Sequence, residues 1–325
     1  MKKLVVLFII LACSFESIAQ GPQQKFWALN NNGVFLLDQI STGASVAYSV
    51  RKLRRHYTGF ALRVRKQVSG TDPQADVAFD ASNQVSGTSL VTVTVAGGGY
   101  SIGDKMTFST FYASSSVYVV TWYDQSGNNR DVTQSTTSQQ PRIVNSGTLE
   151  TSNSKSSIRF ISSSTTVLTA SIPSSTMFGS GYIGTASLVL EASTGNTSAF
   201  GYADGGSDRW QAHINESSNL YFDVGSSYNR ISYVNSSNIG LLRTYALVAG
   251  PSLMQIWVSG SSVSSSTPTM SASTTGTFYV GAVPPFPSDW YHNNKQSEVI
   301  IFPKALSSVE IGTLNRNQKA FFSTP

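Results

Sequence analysis

Short segments with strong strand preference recur along this chain, and clusters of serine, threonine, asparagine and glycine separate them. Valine, isoleucine, leucine and aromatic residues dominate each segment, and turn-forming residues bound it. Many short strands at this spacing predict an all-β fold in which antiparallel sheets pack face to face. The segments are residues 90–95, 116–123, 156–161, 184–191, 219–224, 243–249, 254–258, 277–280 and 298–302.

The most informative segment covers residues 119–143 and has the sequence VVTWYDQSGNNRDVTQSTTSQQPRI. An apolar strand, a polar turn and a second strand follow one another, which predicts a hairpin. Asp124, Gln125 and Gly127 lie in the turn, whose residue types supply the dihedral angles and caps that tight turns need. We therefore predict a rigid structural turn in which Asp124 caps backbone N–H groups. A calcium or ligand contact at Asp124 is the alternative.

Two segments have helical periodicity. Residues 44–57 place apolar side chains on one stripe and basic side chains on the other, which predicts a short N-terminal helix. In residues 307–321, Ser307 precedes Glu310 by three positions, which is the spacing of a capping box at the start of a C-terminal helix. The predicted apolar stripe of this second helix consists of Val309, Ile311, Leu314 and Phe321.

The YDQSG turn, the TQ…QP residues that follow it and the segment AYSVRKLRRHYTGFALRVRK resemble the catalytic-domain family of α-L-arabinofuranosidase B. The resemblance covers about residues 43–321. It implies a concanavalin-like, LamG-like antiparallel β-sandwich of jelly-roll type, with the two helices added. Because one fold supports many activities, function has to be argued from individual residues.

Residues 71–115 are longer than this family pattern requires. Their AGGGYSIGD stretch is typical of a glycine turn that joins two strands. We therefore expect an inserted β-hairpin lobe on a single sandwich domain of residues 20–325, and this hairpin is the expected contact for a protein partner. AGGGYSIGD lacks the lysine and the following helix that phosphate binding requires.

The first nineteen residues contain Lys2 and Lys3, an apolar run and a small-residue end at Ala19, which is the pattern of a secretory signal peptide cleaved after Ala19. Lipid attachment at Cys13 is the alternative. Cys13 is the only cysteine, so a secreted chain cleaved at Ala19 has no disulfide. No later segment has the apolar length of a membrane span.

Removing Lys2, Lys3 and Glu16 from 22 basic and 17 acidic residues leaves a net charge of +4. This mild charge, with charged residues at only 12% of the chain, favours a neutral polymer over phosphate as the partner. The basic residues between Arg51 and Lys66 are interpreted as a solvated structural face, so no nucleic-acid partner is expected. The three histidines lack metal-ligand spacing, and neither a metal nor a cofactor is predicted.

The resemblance implies a retaining glycosidase, which needs a nucleophilic and an acid/base carboxyl group about 5 to 5.5 Å apart. Matching the stretch FGYADGGSDRWQAHI to the family places Gln211 where the glutamate nucleophile belongs. Asp289 falls at the acid/base place, and Ser198 and Ala199 replace two adjacent cysteines. An amide cannot attack the sugar carbon, so the double displacement is predicted to be lost or altered.

The remaining site residues follow from alternation along the strands. His213 shares a face with Gln211, and Trp290 is expected to stack on sugars. Three acidic residues, Asp208, Glu216 and Asp223, are candidates for a displaced nucleophile, although regular alternation turns the first two away from Gln211. The predicted ligand-binding residues are His213, Trp210, Trp290, Asp204 and Asp208.

Three functions remain open from the sequence. The leading hypothesis is a secreted sandwich that recognises a polysaccharide or other glycan and is non-catalytic or catalytically altered. The second is an active α-L-arabinofuranosidase acting on arabinose-containing polysaccharide, with Asp289 as the acid/base residue. The third is a surface adhesion or structural module.

Overall fold

The computed structural model describes residues 34–203, 209–225, 229–267, 276–283 and 290–325. The predicted signal peptide, Cys13, Asp204, Asp208 and Asp289 lie outside these residues. Within them, the chain from Val34 onward forms one compact unit dominated by antiparallel strands, as the all-β sandwich prediction requires. No helix in these ranges is long and apolar enough to cross a membrane.

The described strands, labelled in chain order, pair almost entirely into one large sheet, with β10 and β11 forming a separate pair. The first twelve are β1 (Val46–Ser49), β2 (Leu62–Lys66), β3 (Gln74–Val77), β4 (Leu90–Val95), β5 (Lys105–Thr107), β6 (Val117–Trp122), β7 (Val132–Thr133), β8 (Arg142–Asn145), β9 (Thr148–Leu149), β10 (Thr151–Ser152), β11 (Lys155–Ser156) and β12 (Ile158–Arg159). The others are β13 (Leu168–Ala170), β14 (Gly184–Glu191), β15 (Thr197–Ala203), β16 (Arg209–Glu216), β17 (Asn219–Gly225), β18 (Arg230–Val234), β19 (Leu242–Gly250), β20 (Leu253–Val258), β21 (Ser261–Ser266), β22 (Phe278–Val280) and β23 (Lys295–Phe302).

Two runs of neighbouring strands make up the sandwich. One run follows the order β5-β4-β3-β2-β6-β7-β13-β22-β15-β16-β17-β18, and the other follows β21-β20-β19-β14-β23-β1. Strands β8 and β12 link the runs, because β8 pairs with β6 and β12, and β12 pairs with β23. Large buried side chains fill the core, among them Tyr48, Trp122, Phe160, Phe200 and Phe278.

Helices are few in the described ranges. They are α1 (Phe108–Tyr112), α2 (Ser174–Met177) and α3 (Ser308–Phe322), together with 3-10 turns at Leu36–Asp38, Thr137–Gln139, Ser162–Ser164, Ser180–Tyr182 and Ser236–Asn238. The predicted capping box opens α3: Ser307 Oγ accepts the Glu310 N–H, and Glu310 accepts the Ser307 N–H. The buried face of α3 differs from the predicted stripe, since Val309 is 74% exposed. Its buried residues are Ile311, Leu314, Gln318 and Phe322.

The predicted N-terminal helix is wrong. Residues 46–49 instead form β1, which pairs with β23 from Val46 opposite Ile301 to Ser49 opposite Glu298. All four β1 residues are buried, so their apolar character reflects a fully buried strand rather than one stripe of a helix. Arg51, predicted to lie on a solvated helix face, is only 6% exposed and forms a 2.8 Å ion pair with Glu298. A 3-10 turn at Leu36–Asp38 precedes β1.

The YDQSG turn and the β1 segment hold each other in place. Asp124 Oδ1 accepts the backbone N–H of Ala47 at 2.8 Å and that of Ser126 at 2.8 Å. Gln125 is fully buried, and its Oε1 accepts the N–H of Leu53 at 2.8 Å while its Nε2 donates to the carbonyl of Arg51 at 3.0 Å. The two segments that carry the family resemblance are therefore joined by side-chain-to-backbone hydrogen bonds.

Residues 71–115 form β3, β4, β5 and α1. Strand β4 pairs with β3 and β5, and the glycine-rich residues between β4 and β5 close with a bridge of Gly97 to Tyr100. Exposed apolar side chains occur here: Leu90 is 50% exposed and Ile102 is 71% exposed. This segment is the one predicted to be an added hairpin lobe.

Candidate functional site

The candidate site lies on the face of β15–β18 that is turned away from the core. Strand alternation separates the two faces: Trp210, Ala212 and Ile214 enter the core, while Gln211 and His213 point the other way. Two segments, residues 281–283 and 290–292, cover the outward side chains. They are joined by a 2.7 Å hydrogen bond from the His292 N–H to the Gly281 carbonyl.

Trp210 does not belong to this face. It is fully buried, its ring stacks on Phe178 at a centroid distance of 4.3 Å, and its Nε1 donates to the Tyr182 carbonyl at 3.0 Å. The prediction of Trp210 as a ligand-binding residue is therefore wrong, and its place is in the core. The adjacent residue 211 faces outward because neighbouring residues of a strand point to opposite faces.

Gln211 occupies the centre of the site and is fully buried. Its Nε2 lies 3.0 Å from Asp223 Oδ2 on β17 and 2.8 Å from His213 Nε2. The Asp223 carboxylate accepts hydrogen bonds only, so the amide must turn its NH₂ group towards it. His213 Nε2 then accepts the second amide hydrogen, and Gln211 Oε1 has no hydrogen-bond partner among the described residues.

This arrangement sets the tautomer of His213. With Nε2 accepting from Gln211, the ring hydrogen resides on Nδ1 and is donated to Ser198 Oγ at 2.6 Å. The Trp290 ring covers the imidazole, with centroids 4.2 Å apart and planes inclined by 50°. The backbone of Ser198 also binds the covering segment, because the Ser198 N–H donates to the Trp290 carbonyl at 3.2 Å. His213 and Trp290, two of the predicted ligand-binding residues, are therefore in contact with each other.

Asp223 is held as an anion. Arg230 on β18 donates from Nε to Oδ1 at 2.6 Å and from Nη2 to Oδ2 at 2.8 Å, and Arg209 Nη1 lies 3.6 Å from Oδ2. Burial of this carboxyl raises its pKa, but the hydrogen bonds and the positive charge of the Arg230 guanidinium outweigh burial and hold the pKa well below its ordinary value. Both carboxylate oxygens are therefore occupied by cationic or N–H donors.

Close backbone approach at Gly201 lets the site form. Gly201 lies opposite Gln211 in the β15–β16 ladder. A Cβ at this position would lie 2.6 Å from Gln211 Cβ and 2.8 Å from Val283 Cγ2, both shorter than real contacts. The absence of a side chain thus allows the covering residues 281–283 to lie directly against Gln211.

Sequence reasoning found some of these residues and missed others. It placed Gln211, His213 and Trp290 in a groove, and in the structure His213 contacts both Gln211 and Trp290. It named Asp223 only as a candidate displaced nucleophile, and it attached no role to Arg230. Asp204, Asp208 and Asp289 lie outside the described residues, so their relation to Gln211 stays a prediction.

Comparisons with known proteins bear on the fold. No protein-family model matches this chain, and no curated protein matches its sequence. It is similar in structure to a GH54 α-L-arabinofuranosidase soaked with a cyclic sulfate inhibitor, with a TM-score of 0.56 and 15% identity. It is similar to an arabinofuranosidase complexed with arabinofuranosyl-α-1,2-xylobiose, with a TM-score of 0.53 and 15% identity. A GH54 mutant soaked with 4-nitrophenyl α-L-arabinofuranoside gives a TM-score of 0.56 and 16% identity.

Each of these three comparisons covers 87% of this chain and 63% of the other chain. This chain therefore spans less than two thirds of the length of the arabinofuranosidases. At such low identity the likeness establishes a shared β-sandwich architecture, and the activity of those enzymes does not follow from it.

Proposed function

We propose that this protein recognises a neutral carbohydrate at the Gln211–His213–Trp290 face without performing the double displacement of a retaining glycosidase. The observation that carries the proposal is the Gln211 amide, whose nitrogen is held by Asp223 and His213 while its oxygen has no partner among the described residues. A buried amide oxygen without a partner is costly, and a sugar hydroxyl that donates to it would remove that cost.

The side-chain chemistry around this amide suits a sugar. Trp290 is partly exposed beside His213, and an aromatic ring can stack on the apolar C–H face of a sugar while polar neighbours bind its hydroxyl groups. Arabinofuranosides are the first ligands to test, because arabinofuranosidases with this architecture were studied with them. The signal-peptide pattern supports an extracellular location for such binding.

The groups at the centre of the site support the proposal that the protein does not hydrolyse its ligand. A retaining mechanism needs a carboxylate free to attack the sugar. Gln211 is an amide, and both oxygens of the adjacent Asp223 carboxylate are bound by Arg230. Asp223 is also only 2% exposed. Attack by Asp223 would require its ion pair to break in a buried place, which is unfavourable.

An active glycosidase is the second candidate, and one observation favours it. Asp223 contacts Gln211 from the neighbouring strand, so an ionised carboxylate lies beside the residue that is predicted to replace the family nucleophile. Asp289, the predicted acid/base residue, immediately precedes Trp290 in the sequence. In this reading Asp223 would replace the missing glutamate as the nucleophile.

Binding and turnover assays separate the two candidates. Purified protein lacking residues 1–19 is titrated with arabinoxylan oligosaccharides and incubated with 4-nitrophenyl α-L-arabinofuranoside. We expect binding without turnover, and we expect Gln211→Ala to weaken binding while Gln67→Ala, at an exposed position, leaves it unchanged. Turnover that disappears in Asp289→Asn would establish the glycosidase instead. A wild-type protein that binds no neutral glycan would overturn the proposal.

An adhesion role rests on different residues. Leu90 and Ile102 expose apolar surface in the segment predicted to be an inserted hairpin lobe. If no glycan binds, the double variant Leu90→Ser, Ile102→Ser tests this role. A change in self-association of that variant would favour a protein partner at the hairpin.

A further inference from the structure

The pairing of β15 with β16 continues past the candidate site, with an irregular register. Gly201 pairs with Gln211, Ser198 with His213 and Thr197 with Asn215, and register shifts lie on both sides of Ser198. Between the last two pairs β15 advances by one residue and β16 by two, so β16 carries a bulge there. These pairs form a row along the two strands, in which Thr197 and Asn215 follow Ser198 and His213.

This row ends at a cleft of about 550 Å³ between two loops. One loop follows β12 and contains the 3-10 turn Ser162–Ser164. The other joins β14 to β15 and turns at Gly195, whose φ is 82°. Six side chains line the cleft, namely Ser162, Ser163, Thr165, Thr194, Asn196 and Thr197.

The lining side chains have one chemistry. All six carry a hydroxyl or a carboxamide, groups that both donate and accept hydrogen bonds, and none carries a charge. Such a cleft offers no counter-charge to a phosphate or carboxylate ligand and no apolar wall to a hydrophobic one. It matches a neutral ligand with many hydroxyl groups, in which each group is again both a donor and an acceptor.

A buried amide beside the cleft gives an independent indication of a ligand. Asn215 is 4% exposed and lies opposite Thr197, which lines the cleft. Its Nδ2 donates to the Ser193 carbonyl at 2.8 Å, whereas its Oδ1 has no hydrogen-bond partner among the described residues. An orphaned buried acceptor favours occupation of its surroundings by a donor. Two such acceptors, Gln211 Oε1 and Asn215 Oδ1, thus belong to side chains of the same row.

We infer that this row and its cleft form an extended site for an oligosaccharide chain rather than for a single terminal sugar. Gln211 and Asn215 are four residues apart on β16, which corresponds to about 13 Å at the rise of an antiparallel strand. One unit of the ligand lies at the partly exposed Trp290, next to the Gln211 end of the row, and further units lie in the cleft at Asn196. This inference rests on the proposed carbohydrate function and adds the size and direction of the ligand.

The test compares ligands of increasing length. Affinities are measured by calorimetry for methyl α-L-arabinofuranoside, arabinofuranosyl-xylobiose and longer arabinoxylan oligosaccharides. We expect the longer ligands to bind at least about fivefold more tightly, which corresponds to one added neutral hydrogen bond. In Asn196→Ala and in Thr194→Val, which replaces only a hydroxyl by a methyl group, this gain shrinks while the single-sugar affinity stays unchanged. Asn145→Ala, at an exposed position on β8, is the matched control.

Failure of this inference is distinguishable from failure of the proposed function. If affinity does not rise with ligand length while Gln211→Ala still weakens single-sugar binding, the extended site is wrong and carbohydrate recognition stands. Equal loss of single-sugar and oligosaccharide affinity in Asn196→Ala also contradicts the separate cleft. If no ligand of any length binds, both proposals are wrong.

Discussion

Asp223 Oδ2 and Gln211 Nε2 lie 3.0 Å apart on adjacent strands, and this contact fixes the orientation of the buried amide. The carboxylate binds the NH₂ group, His213 takes its second hydrogen, and the carbonyl oxygen is left as an acceptor. Arg230 in turn keeps the carboxylate ionised. A charged pair on β17 and β18 thus orients a neutral side chain on β16, and the first prediction concerns that pair.

Replacing Asp223 by asparagine removes the closer of the two carboxylate partners of Arg230. We expect Asp223→Asn to lower the free energy of unfolding by about 1 to 3 kcal/mol at pH 7, because the charge-assisted hydrogen bonds between Arg230 and the buried Asp223 carboxylate are lost. Urea unfolding measures this change. Glu216→Gln, which removes a longer and more exposed contact to the same arginine, should cost less than half as much.

The same pair predicts a pH dependence. Since the pKa of Asp223 is lower in the folded chain than in the unfolded one, its stabilisation is present above the unfolded value of about 3.9 and is lost as the pH falls below it. The difference between the wild type and Asp223→Asn should therefore be constant from pH 5 to 8 and shrink below about pH 4. A difference that grows in acid would contradict the assignment.

The approach of β15 to Gln211 predicts a strong effect of one methyl group. In Gly201→Ala the added Cβ meets Gln211 and Val283, so the covering segment must move. We expect a loss of about 1 to 3 kcal/mol in the free energy of unfolding, together with weaker glycan binding. Gly43→Ala is the control, because a Cβ there has no atom within 4 Å and should change both quantities little.

The YDQSG turn predicts a stability effect remote from the candidate site. Asp124 accepts four hydrogen bonds, from the N–H groups of Ala47, Ser126 and Arg130 and from Ser126 Oγ. Asp124→Ala should cost about 2 to 4 kcal/mol by urea unfolding, whereas Asp104→Ala, at an exposed turn, should cost less than 1. A chelator should leave wild-type stability unchanged. A decrease on chelation would favour the calcium alternative.

The sandwich was predictable because the turn-bounded apolar segments follow directly from local composition. The helix assigned to residues 44–57 failed for a specific physical reason. Val46–Ser49 lies between β23 and the YDQSG turn, so it is buried on both faces and lacks the two-residue alternation that marks a half-exposed strand. A continuous apolar run of this kind fits a helical stripe equally well, and only the distant partners Glu298 and Asp124 decide between them.

The contact of Gln211 with Asp223 was not predictable, because it depends on register. The tight turn between β16 and β17 pairs Glu216 with Asn219. Continued without interruption, that register would place Gln211 opposite Val224 and turn Asp223 to the other face. A register shift between His213 and Glu216 brings Gln211 opposite Asp223 instead. Nothing in the local sequence identifies this shift.

His292 predicts a second, independent pH dependence. It is fully buried against Phe160, and burial lowers its pKa to about 3. The unfolded chain therefore binds a proton below about pH 6.5 that the folded chain does not, so stability falls as the pH drops from that value, by up to about 1.4 kcal/mol per pH unit. His292→Phe should flatten this slope between pH 4.5 and 6.5, and His56→Gln, at an exposed position, should not. An unchanged slope in His292→Phe would show that other groups cause it.

Introducing a carboxylate at the centre of the site tests the functional argument most directly. Gln211→Glu places an acid where the family nucleophile is expected, so hydrolysis of 4-nitrophenyl α-L-arabinofuranoside should rise above the wild-type level if only the nucleophile is missing. The double variant Gln211→Glu, Asp289→Asn should lose that activity.

The carboxylate introduced in Gln211→Glu also faces Asp223, and this like-charge contact raises the pKa of the introduced carboxyl group. The variant should therefore be close to the wild type in stability below pH 4 and less stable above that, as the new acid ionises. A Gln211→Glu protein that folds with this pH dependence and shows no turnover would contradict the prediction that only the nucleophile is missing.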